Sequence, residues 1–324
     1  MPHSPMQGDP PLPGREAIVR LAAPRGFCAG VERAVRTVED ALATFGAPVY
    51  VRHEIVHNVH VVRRLEAMGA VFTEDLQGLP GDRPVIFSAH GAPRSAFDEA
   101  RSRRLLTIDA TCPLVLKVHN EVRRHVAQGR HVILIGHRGH AEVVGTMGQC
   151  EPDRISLVES PQDAERLAPP ARALAYATQT TLSVDDASTI IAILKRRFPS
   201  IEGPGKSDIC YATQNRQEAV KLVAAGADAV LVVGSPQSSN SRRLVDAALS
   251  AGARRAFLVD DPDRFDLAVT DDAASIGVSS GASTPEHLVE RLLTLLADRR
   301  PIRIETVEHL REDMTFKQPM LKAS

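Results

Sequence analysis

Short apolar, β-branched runs alternate with longer amphipathic stretches along most of the chain. The runs have the length and composition of buried strands, and the amphipathic stretches show the spacing of helices. The predicted strands are Ala17–Ala22, Val49–Arg52, Val85–Ser88, Val132–Ile135, Ala173–Ala177, Ala229–Val233, Ala256–Val259 and Ser275–Val278. The predicted helices are Val31–Phe45, Pro113–Gln128, Val184–Phe198, Arg216–Ala225, Ser241–Ala251 and Pro285–Ala297. This alternation indicates an α/β protein with mostly parallel sheets.

Five of these strands are followed by loops of hydroxyl, amide or imidazole side chains. The loops begin at Ala89, Gly136, Thr178, Gly234 and Ser279. In open parallel sheets, ligands bind outside the carboxyl ends of the strands. One such loop is unremarkable, but five together predict one shared polar site.

Cys28, Cys112 and Cys210 occupy the same local setting, because each follows an apolar run and directly precedes a helical stretch. A thiolate is favoured near a helix N-terminus, where backbone N–H groups are free. Three unrelated small buried thiols are the alternative. The repeated setting favours three α/β modules, each presenting one thiolate to a common centre.

The chemistry of three widely separated thiolates narrows the choice of metal. Thiolates select zinc, copper(I) or iron–sulfur centres, and zinc-finger ligands come in close pairs that are missing from this sequence. A 4Fe–4S cluster normally takes four cysteines, so three would leave one iron open to substrate. Cys150 lacks the strand-end setting and is interpreted as structural.

Histidines and small polar residues in the strand-end loops indicate an anion site. His57, His90 and His140 are candidates to donate hydrogen bonds to phosphate oxygens, and Ser238, Ser239, Asn240 and Ser283 precede helices where further donors are available. The alternative for each histidine is a capping or core role. His53 lies four residues before His57, so a helix there would put both on one face and allow metal binding.

Glu142 is the one carboxylate inside the strand-end loop that follows Val132–Ile135. That position suits a proton donor with a raised pKa. The alternative is an exposed glutamate that stabilises a helix start. The sequence leaves both open.

Composition sets the class of the chain. Its 324 residues carry a formal net charge of −1 and no Trp, which argues against a broad nucleic-acid-binding face. No apolar stretch reaches the roughly 18–20 residues that a membrane span requires. Four cysteines are too few for a disulfide scaffold. We therefore expect a soluble cytoplasmic protein with no nucleic-acid or membrane partner.

Eight segments, in order and from about Ala17 onward, match the motifs of a known family. They are Pro24–Val31, His53–Asn58, Phe87–Gly91, Asp109–Val115, Gly145–Gln149, Thr178–Ser183, Asp208–Thr213 and Ser238–Ser241. With these motifs the sequence resembles the 4-hydroxy-3-methylbut-2-enyl diphosphate reductase (LytB or IspH) family. In the loop around Glu142, Ala141 and Val144 replace the family's usual Pro and Glu.

The resemblance implies three α/β modules in a trefoil-like arrangement around a central 4Fe–4S cluster with one open iron. By matching position, the implied cluster ligands are Cys28, Cys112 and Cys210, and His140, Glu142 and Thr180 line the region around the substrate hydroxyl. The implied diphosphate ligands are His57, His90, Ser238, Ser239, Asn240 and Ser283.

The implied reaction is the two-electron, two-proton reductive dehydroxylation of an allylic alcohol diphosphate to isopentenyl and dimethylallyl diphosphates plus water, the last step of the non-mevalonate isoprenoid pathway. An external one-electron donor, ferredoxin or flavodoxin, is then expected. The competing readings are a hydro-lyase that needs no electron donor, an iron–sulfur sensor and, more distantly, a zinc hydrolase.

We divide the sequence into a disordered extension over residues 1–16, α/β modules over 17–111, 112–209 and 210–300, and a C-terminal tail over 301–324. The first strand is a candidate to pack with the third module.

Overall fold

The computed structural model describes residues 16–321 and has an α/β architecture in which every strand pairing is parallel within that range. The predicted extension over residues 1–16 lies outside the described residues, apart from Glu16. The strands are β1 (Ala17–Ala23), β2 (Val49–Arg52), β3 (Ala70–Thr73), β4 (Pro84–Phe87), β5 (Leu106–Asp109), β6 (His131–Ile135), β7 (Ile155–Val158), β8 (Leu174–Thr178), β9 (Ala229–Val233), β10 (Ala256–Val259), β11 (Ser275–Ser280) and β12 (Ile302–Glu308).

Ten α-helices alternate with these strands between residues 16 and 321. They are α1 (Ala29–Phe45), α2 (Val59–Ala67), α3 (Arg94–Ser102), α4 (Pro113–Ala127), α5 (Ala141–Met147), α6 (Pro161–Arg166), α7 (Val184–Arg197), α8 (Tyr211–Ala224), α9 (Ser239–Ser250) and α10 (Glu286–Arg299). In this part of the chain no helix combines the length and the apolar character that crossing a bilayer requires.

Among the described residues, one compact unit comprises 16–26 together with 215–236 and 241–311. Its sheet has the strand order β10-β9-β11-β1-β12. The first strand of the chain thus pairs with β11 and β12, both formed by residues near the other end of the sequence. Residues 302–308 were predicted as part of a tail but form β12, an edge strand whose partly exposed, polar sequence carries no continuous apolar run.

The other unit comprises residues 27–214, 237–240 and the segment from 312 onward. It contains two sheets, with strand orders β3-β2-β4-β5 and β7-β6-β8. Among the described residues the chain therefore has three small parallel sheets flanked by helices, and the predicted α/β class is confirmed. The module boundaries drawn from the sequence remain a prediction.

The predicted strands all form, and the sequence analysis missed several further elements besides β12. They include the edge strands β3, β5 and β7, each of four residues. Among the predicted helices that begin earlier than expected, α8 starts at Tyr211 instead of Arg216 and α9 at Ser239 instead of Ser241. The first turns of both helices are polar, so the spacing of apolar residues does not reveal where the helices begin. The earlier start of α9 puts Ser239 and Asn240 inside its first turn.

Burial of β2 and β4 fixes the positions of the carboxyl ends of these strands. All four residues of β4 are buried, and Val49 and Val51 of β2 are fully buried in the same layer. Of these side chains, Val49, Val51 and Ile86 pack in one core with Val35 and Val38 of α1. Burial of each such side chain stabilises the fold by roughly 1.5–3 kcal/mol. The loops after β2 and β4 are consequently held on a rigid base.

Candidate functional site

Each of the three predicted cysteine ligands lies at a helix start. Cys28 and Cys112 are the N-cap residues of α1 and α4, and Cys210 directly precedes α8. Their carbonyl oxygens accept the first helical hydrogen bonds, for example from Glu32 N to Cys28 O at 2.9 Å. The helix dipoles and free N–H groups at these positions favour a negative sulfur. The local setting inferred from the sequence is the one that the structure has.

Gly30 reveals how closely two of the thiols approach each other. A Cβ atom built on Gly30 would lie 2.7 Å from Cys112 Sγ and 3.8 Å from Cys28 Sγ. Any larger residue at this position of α1 would fill the space beside the two sulfur atoms, and only glycine leaves it open. All four cysteines of the chain are free thiols. Open space beside reduced sulfurs is what a soft metal centre requires.

The thiol of Cys210 interacts electrostatically with the other two cysteines. Burial, together with the charges of Cys28 and Cys210, raises the pKa of Cys112 to about 12. Burial and the charge of Cys28 raise the pKa of Cys210 to about 11. Three thiolates cannot coexist here without a compensating cation. The donor set therefore fits a cationic metal–sulfur centre, which would take up the thiols as thiolates and release their protons.

The turn before Cys112 is held by a buried arginine. The Nη1 atom of Arg33 on α1 donates to Ala110 O at 3.1 Å and to Thr111 O at 3.0 Å. Its Nε atom donates to Lys317 O at 2.8 Å, which ties in the segment that follows residue 311. Burial lowers the pKa of Arg33. A cation is thus fixed beside the residues that present the Cys112 thiol.

Cys150 lies apart from this arrangement in its contacts. It follows α5 and packs, half-buried, against a hydrophobic core with Val126, Met147 and Leu157. Burial raises its pKa, and charged neighbours such as Arg154 contribute less. These contacts agree with the structural role expected from the sequence.

The three predicted anion-binding histidines lie together. The rings of His57 and His90 stack with their centroids 3.9 Å apart, and the His140 ring is edge-on to both at 5.3 and 6.1 Å. Burial and then the neighbouring imidazoles hold the pKa of His90 well below its usual range. His90 is therefore neutral until an anion approaches, and a bound anion would favour its protonation.

His53 joins the group without the helix that the spacing would need. Residues 53–58 form bends instead of a helical turn, and His53 itself has a φ of +64°. One ring nitrogen from each of His53, His57 and His90 lies within 4.8 Å of the others. The sequence analysis assigned His53 a role only on the condition of a helix, because a bend leaves no periodic signal.

Glu142 and Thr180 form a buried acid–hydroxyl pair. The carboxylate of Glu142 accepts from Thr180 N at 2.6 Å and from Thr180 Oγ1 at 2.8 Å. Only 2% of Glu142 is exposed, and this burial raises its pKa to about 7 although both Thr180 hydrogen bonds oppose the rise. The alternative of an exposed helix-start glutamate is wrong. The carboxyl group is poised to carry a proton near neutral pH.

His140 orients this pair from the start of α5. It is the N-cap of the helix, and its Nδ1 atom accepts from Glu142 N at 3.1 Å. Its Nε2 atom is therefore the nitrogen left for other partners. The His140 ring thus contacts both the backbone N–H of Glu142 and the His57–His90 pair. His140 therefore connects the predicted acid to the predicted anion-binding histidines.

Gln179 is a residue of this region that the sequence analysis did not single out. It is 1% exposed; its Oε1 atom accepts from His137 N at 3.0 Å, and its Nε2 atom donates to Thr181 Oγ1 at 2.8 Å. A longer contact of 3.4 Å joins Nε2 to Ser239 Oγ. Its place between two threonines at the end of β8 was the available signal. Gln179 links the loops after β6 and β8 to the start of α9.

The predicted small polar residues are all buried. Ser238, Ser239 and Asn240 lie at the start of α9, where Ser239 Oγ donates to Thr181 O at 3.3 Å. Asn240 Nδ2 is 3.5 Å from Thr213 Oγ1, whose hydroxyl in turn accepts from Cys210 Sγ. Ser283 lies in the turn between β11 and α10 of the other unit. Its assignment as a diphosphate ligand stays a prediction.

Fold and site together define a class of protein. It is an α/β protein with three convergent thiols suited to a soft metal centre, beside a buried acid and a group of imidazoles. Such a combination would suit an enzyme that couples chemistry at a metal centre to proton transfer and anion binding.

Comparison with known proteins narrows this class. The sequence family described as "LytB protein" matches residues 19–297. A 4-hydroxy-3-methylbut-2-enyl diphosphate reductase of Hyphomonas neptunium is 54% identical over 319 residues, covering 98% of this chain and 100% of the relative. The enzyme of that name from Ruegeria pomeroyi is 56% identical and covers 92% of this chain and 95% of its own length.

A solved structure supports the same family assignment. The structure of the E-1-hydroxy-2-methyl-but-2-enyl-4-diphosphate reductase from Plasmodium falciparum superposes with a TM-score of 0.89 at 38% identity, covering 94% of this chain and 96% of that one. The chain therefore belongs to the LytB family, a family of iron–sulfur enzymes. The resemblance noted from the sequence motifs is confirmed.

Proposed function

We propose that this chain is an oxidoreductase that converts (E)-4-hydroxy-3-methylbut-2-enyl diphosphate to isopentenyl diphosphate and dimethylallyl diphosphate, the last step of the non-mevalonate isoprenoid pathway. The substrate class comes from the names of its relatives. One observation carries the proposal for this chain: the convergent thiols, the Glu142–Thr180 pair and the imidazole group occur in the same compact unit.

The proposed cofactor is one 4Fe–4S cluster held by Cys28, Cys112 and Cys210, with one iron free of protein thiolate. When bound, it would supply electrons one at a time and a Lewis-acidic iron for the substrate oxygen. Cys150 is left out of the ligand set because its contacts are with a hydrophobic core.

The reaction removes the allylic hydroxyl as water and adds one hydrogen to the hydrocarbon, so it consumes two electrons and two protons. Hydroxide is a poor leaving group, and protonation of the oxygen makes it leave as water. We assign that proton to Glu142, with Thr180 Oγ1 between the carboxyl group and the substrate hydroxyl. His140 holds the start of α5, and so the carboxyl group, in place.

The diphosphate takes no part in the redox chemistry, and its role is to fix the other end of the substrate. We propose that His57 and His90 bind it from the imidazole group and that Ser238, Ser239 and Asn240 bind it from the start of α9. Hydroxyl, amide and free N–H donors at a helix N-terminus suit phosphate oxygens. Electrons would come from a small external one-electron donor protein of the ferredoxin or flavodoxin type. We place the enzyme in the cytoplasm.

Turnover of the allylic diphosphate tests the proposal. Protein with a reconstituted cluster is incubated anaerobically with (E)-4-hydroxy-3-methylbut-2-enyl diphosphate, with and without a low-potential one-electron reductant. We expect both isoprenoid diphosphates in the reduced sample and neither in the other. Absence of product from cluster-loaded protein would contradict the function. Loss of water from the substrate without a reductant, giving a dehydrated product in place of the isoprenoid diphosphates, would indicate a hydro-lyase.

Replacement of one hydroxyl tests the diphosphate site. In Ser238→Ala, we expect the KM for substrate to rise roughly tenfold with kcat within about threefold, because a hydrogen bond to a charged group contributes about 1.5–3 kcal/mol. Steady-state kinetics measures both constants. Ser250→Ala, an exposed position at the other end of α9, is the matched control. An unchanged KM in Ser238→Ala would remove this residue from the site.

A further inference from the structure

His53 is held in a conformation that its residue type disfavours. Its φ of +64° lies in the left-handed region, which residues with a Cβ atom adopt at a cost. The backbone is fixed there by a hydrogen bond from His53 N to Thr73 O at 2.9 Å. Such strain persists where the surrounding structure enforces it, and it concentrates at functional sites.

A carboxylate holds the His53 ring and fixes which of its nitrogens carries the proton. His53 Nδ1 and Glu74 Oε1 are 2.6 Å apart. Because a carboxylate accepts, Nδ1 carries the proton in this bond. The other nitrogen, Nε2, is buried and has no hydrogen-bond partner within residues 16–321. The ring is therefore held through Nδ1 by Glu74, while Nε2 lies in the buried interior.

The His53 ring is nearly perpendicular to both members of the stacked pair. Its centroid is 5.7 Å from that of His57 and 5.7 Å from that of His90, with interplanar angles of 87° and 79°. Perpendicular arrangements of this kind are among the preferred geometries of aromatic pairs. A ring that Glu74 holds and that contacts both His57 and His90 thus limits the rotation of this pair.

We propose that His53, pinned by Glu74, is a positioning residue of the diphosphate site that fixes the angle at which His57 and His90 present their nitrogens to the anion. The inference rests on the proposed function, since that function makes His57 and His90 diphosphate ligands. It adds a His–Glu pair that prepares the site before the substrate arrives.

The test uses His53→Asn in the cluster-loaded enzyme, because asparagine tolerates the left-handed backbone while the ring is lost. We expect the Kd for inorganic diphosphate, measured by anaerobic calorimetry, and the KM for substrate each to rise about tenfold, with kcat within about twofold. Glu74→Ala should raise the same Kd about threefold. Glu74→Gln should restore part of the affinity because its amide oxygen still accepts from Nδ1.

Glu66→Ala, an exposed position on α2, is the matched control and should bind diphosphate like the wild type. A wild-type Kd in His53→Asn would overturn the inference while leaving the proposed function intact. A fall in kcat at unchanged KM would also overturn it, since a positioning role for the diphosphate acts on binding. If the wild-type holoenzyme neither bound diphosphate nor turned over substrate, the proposed function would fail with it.

Discussion

Glu142→Gln, loaded with its cluster, is expected to turn over the allylic diphosphate about 10²–10⁴-fold more slowly than the wild type, the usual range for loss of a general acid. The amide keeps the size of the side chain and an acceptor for Thr180, but it has no proton to give. The KM should change little, because the carboxyl group acts on the leaving hydroxyl. Anaerobic steady-state kinetics on protein of equal iron content measures the effect.

The pH profile supplies a second signature of the same residue. Burial raises the pKa of Glu142 to about 7, so the proton is present below that pH and is lost as the pH rises through it. Wild-type kcat should therefore fall on the alkaline side of about pH 7, and this fall should be missing in Glu142→Gln. Glu151→Gln, an exposed position shortly after α5, is the control and should retain the wild-type profile. Full activity in Glu142→Gln would show that the proton comes from elsewhere.

Cys112→Ser is expected to lose the iron–sulfur cluster and with it more than about 99% of the activity, because a hydroxyl does not replace a thiolate toward iron. The substitution is small, so the fold should survive, as far-ultraviolet circular dichroism would show. Iron and sulfide per chain and the visible absorbance of the cluster measure the loss. The same result is expected for Cys28→Ser and Cys210→Ser.

Cys150→Ser is the matched control for this series, since it changes the same atom outside the converging group. It should retain the cluster and wild-type turnover. Cluster loss in Cys150→Ser, or an intact and active cluster in one of the other three variants, would contradict the proposed ligand set.

The chemistry of the site was more accessible to sequence reasoning than its geometry. The sequence indicated three candidate metal ligands, Cys28, Cys112 and Cys210, because a thiol between an apolar run and a helical stretch is a local pattern. Glu142 was recognisable as the carboxylate of a strand-end loop, but its burial and its bond to Thr180 depend on β6 and β8 being neighbours in a sheet. Contacts of that kind have no local signal.

The elements and residues that were missed share a physical reason. β12 is an edge strand with alternate exposed residues, so it lacks the apolar run that marked the buried strands. His53 was named only on the condition of a helix, but it lies in a bend held by Thr73 and Glu74, on or beside the strand β3 that was itself not predicted. Gln179 gains its role from three loops that only the folded sheet brings together.

The bond between Arg33 and Lys317 has a consequence for the order in which the protein is completed. The two residues are 284 positions apart, and Arg33 also holds the carbonyl groups before Cys112. At ribosomal rates of about 5–20 residues per second, roughly 15–60 s separate their synthesis. Thr37, one turn further along α1, bonds to Gln318 and must wait as long. The cysteine pocket therefore takes its final form only after the segment containing Lys317 has left the ribosome, and the proposed cluster would be inserted into the finished pocket after translation.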